Sequence, residues 1–416
     1  MTDERSDRWL VGAAFACAVL VFLPMLGHTF YRDDFRWVER AIDAAPNPAR
    51  WFTLAGTDFR PLASLSFILN LKTSGLSPAG YYGFNLLLHL ANVGLLMAFV
   101  HRLSGGSLRA AGIAGLLFGT AFANYGEAIY WICGRTGPIA DFLMLATLTA
   151  HWDGRARGRT SARILAWTCF ALALLAKETA AVLLPLLAVL EWAHPARRGT
   201  LAQGLSGTAR RLAPYAAMTA VYVPFQFLVW RAQSPILESE WTLGPHVPAN
   251  LLEYAVRMFL PITPSSMMVP LPAGAAPALG TVELALTIIL PLAWLAALLS
   301  PLPRATKFAL WWIPLTILPV TFLTYRTSTR YLYAPSMGVA MLAGMGLAAW
   351  TESALGGSRR ARAIAAIAAL AIVLVVQGAV MGVILRRHHE LERREAPGEW
   401  ARLRAHARAA GMDAGP

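Results

Sequence analysis

Apolar stretches of membrane-spanning length recur along the whole chain, and they constrain its fold more than any other feature. Of its 416 residues 56% are hydrophobic and only 14% are charged, with a mean hydropathy of +0.50. About 20 consecutive apolar residues cross a bilayer as an α-helix, because a helix pairs its backbone polar groups internally. In the clearest stretch, 363–385, Gln377 is the only strongly polar side chain. The sequence therefore predicts an all-α polytopic membrane protein.

The pattern predicts about eleven spans, which make residues 1–385 one transmembrane domain and 386–416 an amphipathic C-terminal tail. The first span is interpreted as a retained helix, because no signal-peptidase site follows it. Two long segments between spans, 27–80 and 231–280, contain amphipathic stretches expected to lie along the membrane interface. The predicted spans are 9–26, 81–101, 110–124, 137–151, 163–176, 179–192, 212–230, 281–299, 308–324, 333–350 and 363–385.

The distribution of basic residues predicts the orientation. With a cytoplasmic N-terminus, the short cytoplasmic loops carry fifteen Lys and Arg residues and the short loops of the other face carry four, as the positive-inside rule requires. Both long segments and the tail then lie outside, and the composition favours a bacterial inner membrane with these segments in the periplasm. The net charge of +13 arises largely from these loops and tail, so it does not indicate a nucleic-acid partner. The three cysteines show neither metal spacing nor a disulfide pattern.

Two adjacent carboxylates, Asp33 and Asp34, follow the first span on the predicted outer face. Neighbouring like charges raise the proton affinity of one carboxylate, which suits a general base that takes the proton of an acceptor hydroxyl. The structural alternative is a solvated turn or a helix N-cap. Carboxylates also bind hard cations, but no second ligand cluster is evident, so no metal ligand is assigned and a divalent cation stays an alternative.

Other charged residues fall on the same predicted face. Arginine offers a planar donor fork that matches phosphate oxygens, which favours a phosphate-binding pocket. The alternative is a set of separate ion pairs and interfacial side chains, and Lys177-Glu178 is equally consistent with a hairpin turn. His89 shares a helix face with Asn85 and Asn92, for which hydrogen bonding between helices is the alternative to substrate contact. The charged set is Asp58, Arg60, Glu127, Arg135, Lys177, Glu178, Arg326 and Arg330.

Six segments in order carry a family resemblance: 33–34, 58–62, 85–92, 127–135, 176–178 and 330–338. Together they resemble the GT-C superfamily of membrane glycosyltransferases. They are most similar to the membrane domain of the transmembrane and TPR-repeat O-mannosyltransferases and their bacterial relatives. Thr136-Gly137-Pro138 departs from the family, in which an acidic residue usually follows Gly-Arg.

The resemblance implies an inverting transfer of a sugar from a polyprenyl-phosphate donor to a hydroxyl of a protein Ser/Thr, an envelope glycan or a lipid. It implies that the first-loop acid is the catalytic base, with Asp34 preferred to Asp33. It also implies that Arg135 and Arg330, with Arg326 beside them, bind the donor phosphate. The pocket-lining residues would be Arg60, Asp58, Glu127, His89, Lys177 and Glu178.

Two other functions fit a polytopic protein with such residues. One is a transporter or flippase of lipid-linked saccharides, and the other is a catalytically silent scaffold of the cell envelope. Transporters carry polar groups at the bilayer midplane and often show inverted repeats. Here the polar residues collect on one face and no repeat is evident, which favours the enzyme.

Overall fold

The computed structural model describes residues 2–47, 50, 59–194, 201–233, 241–260, 275–324, 328–352 and 359–413. Within these ranges the regular structure is helical, apart from one isolated β-bridge between Trp241 and Leu323. The helices are α1 Thr2–Phe22, α2 Asp33–Ala44, α3 Pro61–Ser74, α4 Pro78–Leu103, α5 Leu108–Thr120, α6 Phe122–Tyr125, α7 Glu127–Tyr130, α8 Thr136–Arg157, α9 Thr160–Ala176, α10 Leu183–Ala193, α11 Leu201–Gln233, α12 His246–Phe259, α13 Ala275–Leu299, α14 Arg304–Thr321, α15 Tyr333–Glu352 and α16 Arg359–Ala409.

The surface of the bundle is built for lipid. Among the described residues, five helices are long and apolar enough to cross a membrane, and three shorter helices are also apolar. The most hydrophobic window of α13 has no buried residue, and Leu284, Ile288 and Leu292 project outward from it. A continuous apolar face of this kind is stable only against lipid or protein. The prediction of an all-α polytopic membrane protein is confirmed.

Each of the eleven predicted spans overlaps a helix, although many boundaries differ, and three of the differences bear on the fold. Helix α5 ends at Thr120, because the chain then turns through the short helices α6 and α7. Helix α10 begins at Leu183, after a 3₁₀ turn over Glu178–Val182. The last span continues as a single helix to Ala409, so the tail is not a separate element. Its sequence after residue 385 is rich in Glu and Arg, and these residues favour helix.

Close packing around α5 forms the centre of the bundle. A Cβ added to Gly115 would lie 2.5 Å from Met97 on α4, and one added to Gly119 would lie 3.1 Å from Ala18 on α1. On α15, a Cβ at Gly344 would lie 2.5 Å from the carbonyl oxygen of Ala110. Small residues allow helix backbones to approach in this way within membranes. The four helices therefore form one tightly packed unit.

Helix α2 lies in the first long segment and is packed by its apolar face. Phe35, Val38, Ala41 and Ile42 are buried, at spacings that place them on one side of the helix. The far end of α16 covers this region: the Trp400 ring stacks on Phe30 with 5.2 Å between ring centroids. Helix α2 is therefore held between the bundle and the end of α16.

Candidate active site

A cavity of about 420 Å³ opens at the end of the bundle where α2 lies. Its charged lining comes from four places: α2, the start of α3, the turn after α9 and the segment before α15. Five cationic side chains face two carboxylates there, so the described lining favours an anionic ligand. The charged lining residues are Asp33, Arg36, Arg40, Arg60, Lys177, Glu178 and Arg330.

Asp33 and Asp34 begin helix α2 and point in different directions. Asp33 is exposed and lines the cavity. Asp34 is fully buried, and its carboxylate accepts the backbone N–H groups of Tyr31 at 3.1 Å and Cys133 at 2.8 Å. Burial outweighs these hydrogen bonds and raises the pKa of Asp34 to about 7. Asp33 is therefore among the residues that line the cavity and Asp34 is not, and the preference for Asp34 as the base stays a prediction.

Arg60 and Glu178 form a bidentate ion pair in the cavity wall. The Arg60 Nε and Nη2 atoms donate to the two carboxylate oxygens of Glu178 at 2.9 and 2.8 Å. Burial alone would raise the pKa of Glu178, but the charge and hydrogen bonds of Arg60 hold it below its usual value. The pair joins the start of α3 to the turn after α9, two segments that the sequence places 118 residues apart.

Lys177 lies beside this pair, and its ammonium group is 5.2 Å from the centroid of the Tyr331 ring. Burial lowers the pKa of Lys177, while the charges of Tyr331 and Glu178 oppose that shift. Lys177 and Glu178 therefore do more than form a hairpin turn. Both residues line the cavity.

Arg330 reaches the cavity from a 3₁₀ turn that Glu127 holds in place. One Glu127 carboxylate oxygen accepts from the hydroxyls of Ser328 at 2.6 Å and Thr329 at 3.0 Å, and from the backbone N–H of Arg330 at 3.2 Å. The guanidinium lies over the Trp131 ring at 4.9 Å and donates to the Tyr331 hydroxyl at 3.3 Å. Glu127 is thus a support of Arg330 and is not among the cavity-lining residues.

Arg135, which was expected to bind the donor phosphate, is not among the residues that line the cavity. It is fully buried, and its guanidinium donates to Ile132 O at 3.1 Å, to Tyr81 O at 3.0 Å and to the Asn70 side-chain oxygen. The Phe67 ring covers it at 4.5 Å. The 3₁₀ turn Ile132–Arg135 directs the side chain into the protein. Arg135 therefore cross-links three segments beneath the cavity.

The remaining predicted residues divide into two groups. His89 is fully buried within the bundle, where it contacts the Tyr333 hydroxyl at 2.9 Å and Gly119 O at 3.2 Å. This is the interhelical hydrogen bonding that was the alternative to substrate contact. Asp58 and Arg326 lie outside the described residues.

The opposite wall of the cavity is largely apolar and contains one residue that the sequence did not single out. Val223 and Phe227 of α11 and Val320 and Leu323 at the end of α14 line it. Gln226 lies among them; it is 3% exposed, and neither atom of its amide has a hydrogen-bond partner among the described residues. A buried amide without a partner is costly, so this position is suited to hydrogen bonding with a ligand. A single glutamine in an apolar helix gave no signal of this in the sequence.

The fold matches solved GT-C glycosyltransferases. The crystal structure of ArnT from Cupriavidus metallidurans in the apo state has a TM-score of 0.54 at 16% sequence identity, and the match covers 94% of this chain and 78% of that chain. The structure of the same protein bound to undecaprenyl phosphate gives a TM-score of 0.51 at 19% identity over the same shares. This chain therefore has the GT-C glycosyltransferase fold, and the resemblance seen in the sequence is confirmed at that level.

Sequence comparison identifies relatives of part of the chain. Protein O-mannosyl-transferase TMTC2 of Mus musculus is 30% identical over 198 residues, which are 43% of this chain and 23% of that protein. The Xenopus laevis protein of the same description is 32% identical over 149 residues, which are 33% of this chain and 18% of that protein. This chain thus matches less than a quarter of the length of these relatives. No family model matches it.

Proposed function

We propose that this protein is an inverting glycosyltransferase that moves a sugar from a polyprenyl-phosphate donor to a hydroxyl acceptor at the periplasmic face of a bacterial inner membrane. The observation that carries the proposal is the cavity itself, in which the Asp33 carboxylate shares a space with Arg330, Lys177 and Arg60. The GT-C fold and the undecaprenyl phosphate bound by ArnT support it. The O-mannosyltransferase relatives support transfer to a hydroxyl.

The two walls of the cavity match two adjacent parts of such a donor, its isoprene chain and its phosphate. The apolar wall of α11 and α14 suits the first isoprene units, and the cationic wall suits the phosphate. Arg330 donates to one described side chain, the Tyr331 hydroxyl, so other N–H groups of its guanidinium remain for phosphate oxygens. Gln226 lies in the apolar wall, where a sugar hydroxyl would both donate to and accept from its amide.

The reaction needs one base and one stabilised leaving group. The acceptor oxygen attacks the anomeric carbon, the bond from that carbon to the phosphate oxygen breaks, and the acceptor proton passes to the Asp33 carboxylate. The polyprenyl phosphate leaves with the bonding electrons. Arg330 and Lys177 hold the charge that develops on it, which is the usual electrostatic contribution to such a transfer.

The first test compares the two neighbouring carboxylates. Purified full-length wild type, Asp33→Asn and Asp34→Asn are reconstituted in liposomes with radiolabelled polyprenyl-phosphate sugars and bacterial envelope acceptors. Release of polyprenyl phosphate and labelling of the acceptor are measured. Asp33→Asn should slow transfer by about 10²–10⁴-fold, the usual contribution of a general base. Asp34→Asn should slow transfer much less than Asp33→Asn, because Asp34 does not line the cavity.

Three results would count against the proposal. Full transfer by Asp33→Asn would remove its base, and equal losses in both variants would indicate damage to α2. Movement of the labelled lipid across the bilayer, with no cleavage of the sugar–phosphate bond by the wild type, would favour a flippase instead.

The second test concerns Gln226. Gln226→Leu keeps the size and the helix but removes both hydrogen-bonding groups. Loss of one or two hydrogen bonds to the donor sugar should raise the KM for the donor by about tenfold, at roughly 1 kcal/mol for each bond. Gln377→Leu is the matched control in α16, because the Gln377 amide donates to Asn124 at 2.6 Å inside the protein. A KM for the donor that is unchanged by Gln226→Leu would show that the amide does not meet the sugar.

A further inference from the structure

Three side chains that could ligate a metal meet where the end of α16 crosses the first long segment. His28 follows the 3₁₀ turn Leu23–Gly27, and His389 and Glu392 lie three residues apart on one face of α16. His28 Nδ1 is 3.0 and 3.1 Å from the two carboxylate oxygens of Glu392, and His389 Nδ1 is 3.3 Å from one of them. None of the three lines the cavity described above. Two parts of the chain 364 residues apart therefore converge on one carboxylate.

The spacing of these atoms is close to that of a first coordination sphere. One ligand atom from each residue can be chosen so that all three lie within 4.8 Å of one another. Ligands held 2.0–2.2 Å from a tetrahedral ion are roughly 3.3–3.6 Å apart. Both nitrogen–oxygen separations to the shared oxygen of Glu392, 3.1 and 3.3 Å, are close to that edge length. A small movement of the two imidazoles would complete three corners of a tetrahedron.

The donor set also identifies the class of ion. Two imidazole nitrogens and one carboxylate oxygen suit Zn²⁺ and its neighbours in the first transition series, whereas Ca²⁺ and Mg²⁺ prefer oxygen ligands. Glu392 is 3% exposed at its side chain and His28 is 10% exposed, while His389 is 50% exposed. A site with two enclosed ligands and one open side admits an ion from solution and leaves its fourth position to water.

We propose that His28, His389 and Glu392 bind one divalent transition-metal ion, with Zn²⁺ as the preferred ion. The ion would cross-link the end of α16 to the segment that leads into α2. His28 lies five residues before Asp33, so the ion would restrain the start of the helix that carries Asp33. The site is independent of the proposed glycosyltransferase reaction and contributes no group to it.

The test measures binding and stability directly on the full-length protein in detergent, after removal of any affinity tag and treatment with a chelator. Zn²⁺ is titrated by calorimetry, and Co²⁺ is added separately as a spectroscopic probe of tetrahedral coordination. One Zn²⁺ per chain is expected, with a higher thermal midpoint, because an ion that binds only the folded state stabilises it. His28→Ala, His389→Ala and Glu392→Gln should each weaken binding by more than about 100-fold, since loss of an outer-shell partner alone costs about 10–100-fold.

A matched control lies on the same pair of segments. His406 Nε2 bonds to Asp43 Oδ1 at 2.9 Å, so it too joins α16 to the first long segment, but through two groups only. His406→Ala should therefore bind Zn²⁺ as the wild type does. Glu392→Gln keeps the side-chain shape, and its elution volume and helical content show whether it is folded. No Zn²⁺ binding by the wild type, or binding unchanged in all three site variants, would overturn the proposal and leave a hydrogen-bonded clasp.

Discussion

At the scale of single residues, the two neighbouring carboxylates of α2 show how one helix turn separates two environments. Successive side chains on an α-helix point about 100° apart, so Asp33 meets the cavity while Asp34 is directed into the protein. The backbone N–H groups of Tyr31 and Cys133 stabilise the charged form of Asp34, but burial disfavours it more strongly. Asp34 thus links the start of α2 to the turn that contains Cys133.

The raised pKa of Asp34 predicts a particular dependence of stability on pH. In the unfolded chain an Asp ionises near pH 3.8, whereas folded Asp34 keeps its proton to about pH 7. Between these values the folded state binds more protons, so its stability falls as pH rises and levels off above about pH 7. Thermal midpoints of the wild type and Asp34→Asn, measured from pH 4.5 to 8, should therefore converge at low pH and diverge above it.

The control for this pH series is Asp43→Asn, which removes an exposed carboxylate from the same helix. It should keep the wild-type slope between the two pH limits. If Asp34→Asn retains that slope as well, the pH dependence belongs to another group.

The sequence located the candidate site better than it assigned individual roles. Topology predicts at which end of a span a residue lies, and this grouped five charged residues on one face. The structure brings these five to one cavity: Asp33, Arg60, Lys177, Glu178 and Arg330. Topology does not predict the direction in which a side chain points. Arg135 and His89 turn into the protein, where backbone carbonyls and a tyrosine hydroxyl accept from or contact them.

At the scale of helices, the contact between α5 and α15 depends on one glycine. Helix–helix association in lipid gains little from the hydrophobic effect, so close approach of backbones matters. At Gly344 α15 packs closely on α5, with Ala110 O and Ala114 within 3.0 Å of the position that a Cβ would take. The pattern of apolar residues predicted both helices, but an apolar helix with several glycines does not reveal which glycine faces a neighbour.

Gly344→Ala should destabilise the protein. The added methyl group would meet backbone atoms that cannot move aside, and overpacking of this kind typically costs about 1–3 kcal/mol. Gly346→Ala is the matched control two residues away, where an added Cβ meets nothing within 4 Å. Thermal unfolding of the two variants in the same detergent measures the difference. Equal midpoints would show that α5 and α15 can separate at little cost.

At the scale of the whole molecule, α16 links the transmembrane bundle to the first long segment. Its first part is an apolar span, and its last part packs against residues 28–44, which include α2. The Trp400 indole donates to the Thr29 hydroxyl at 2.8 Å, and its ring meets Phe30 and Phe35. Arg402 adds an ion pair with Glu39 at 3.0 Å. The sequence predicted an amphipathic tail, but not that the tail continues the last span and braces the helix that carries Asp33.

Trp400→Ala tests whether this brace sets the order of α2. Removing the indole takes away two aromatic contacts and a hydrogen bond. The free energy of local opening over residues 28–44 should fall by about 2–3 kcal/mol, somewhat less than for a fully buried tryptophan. Hydrogen–deuterium exchange of the reconstituted protein should then speed up in that segment, while exchange in α4 and α5 stays unchanged.

Trp9→Ala removes the same side chain from an exposed position on α1, where Trp9 is 73% exposed, and should leave residues 28–44 protected. Because Asp33 begins α2, the transfer rate of Trp400→Ala should fall together with the exchange protection of residues 28–44. The size of this fall should not follow the change in the global free energy of unfolding. Loss of protection without loss of transfer would mean that α2 reaches its active position without α16.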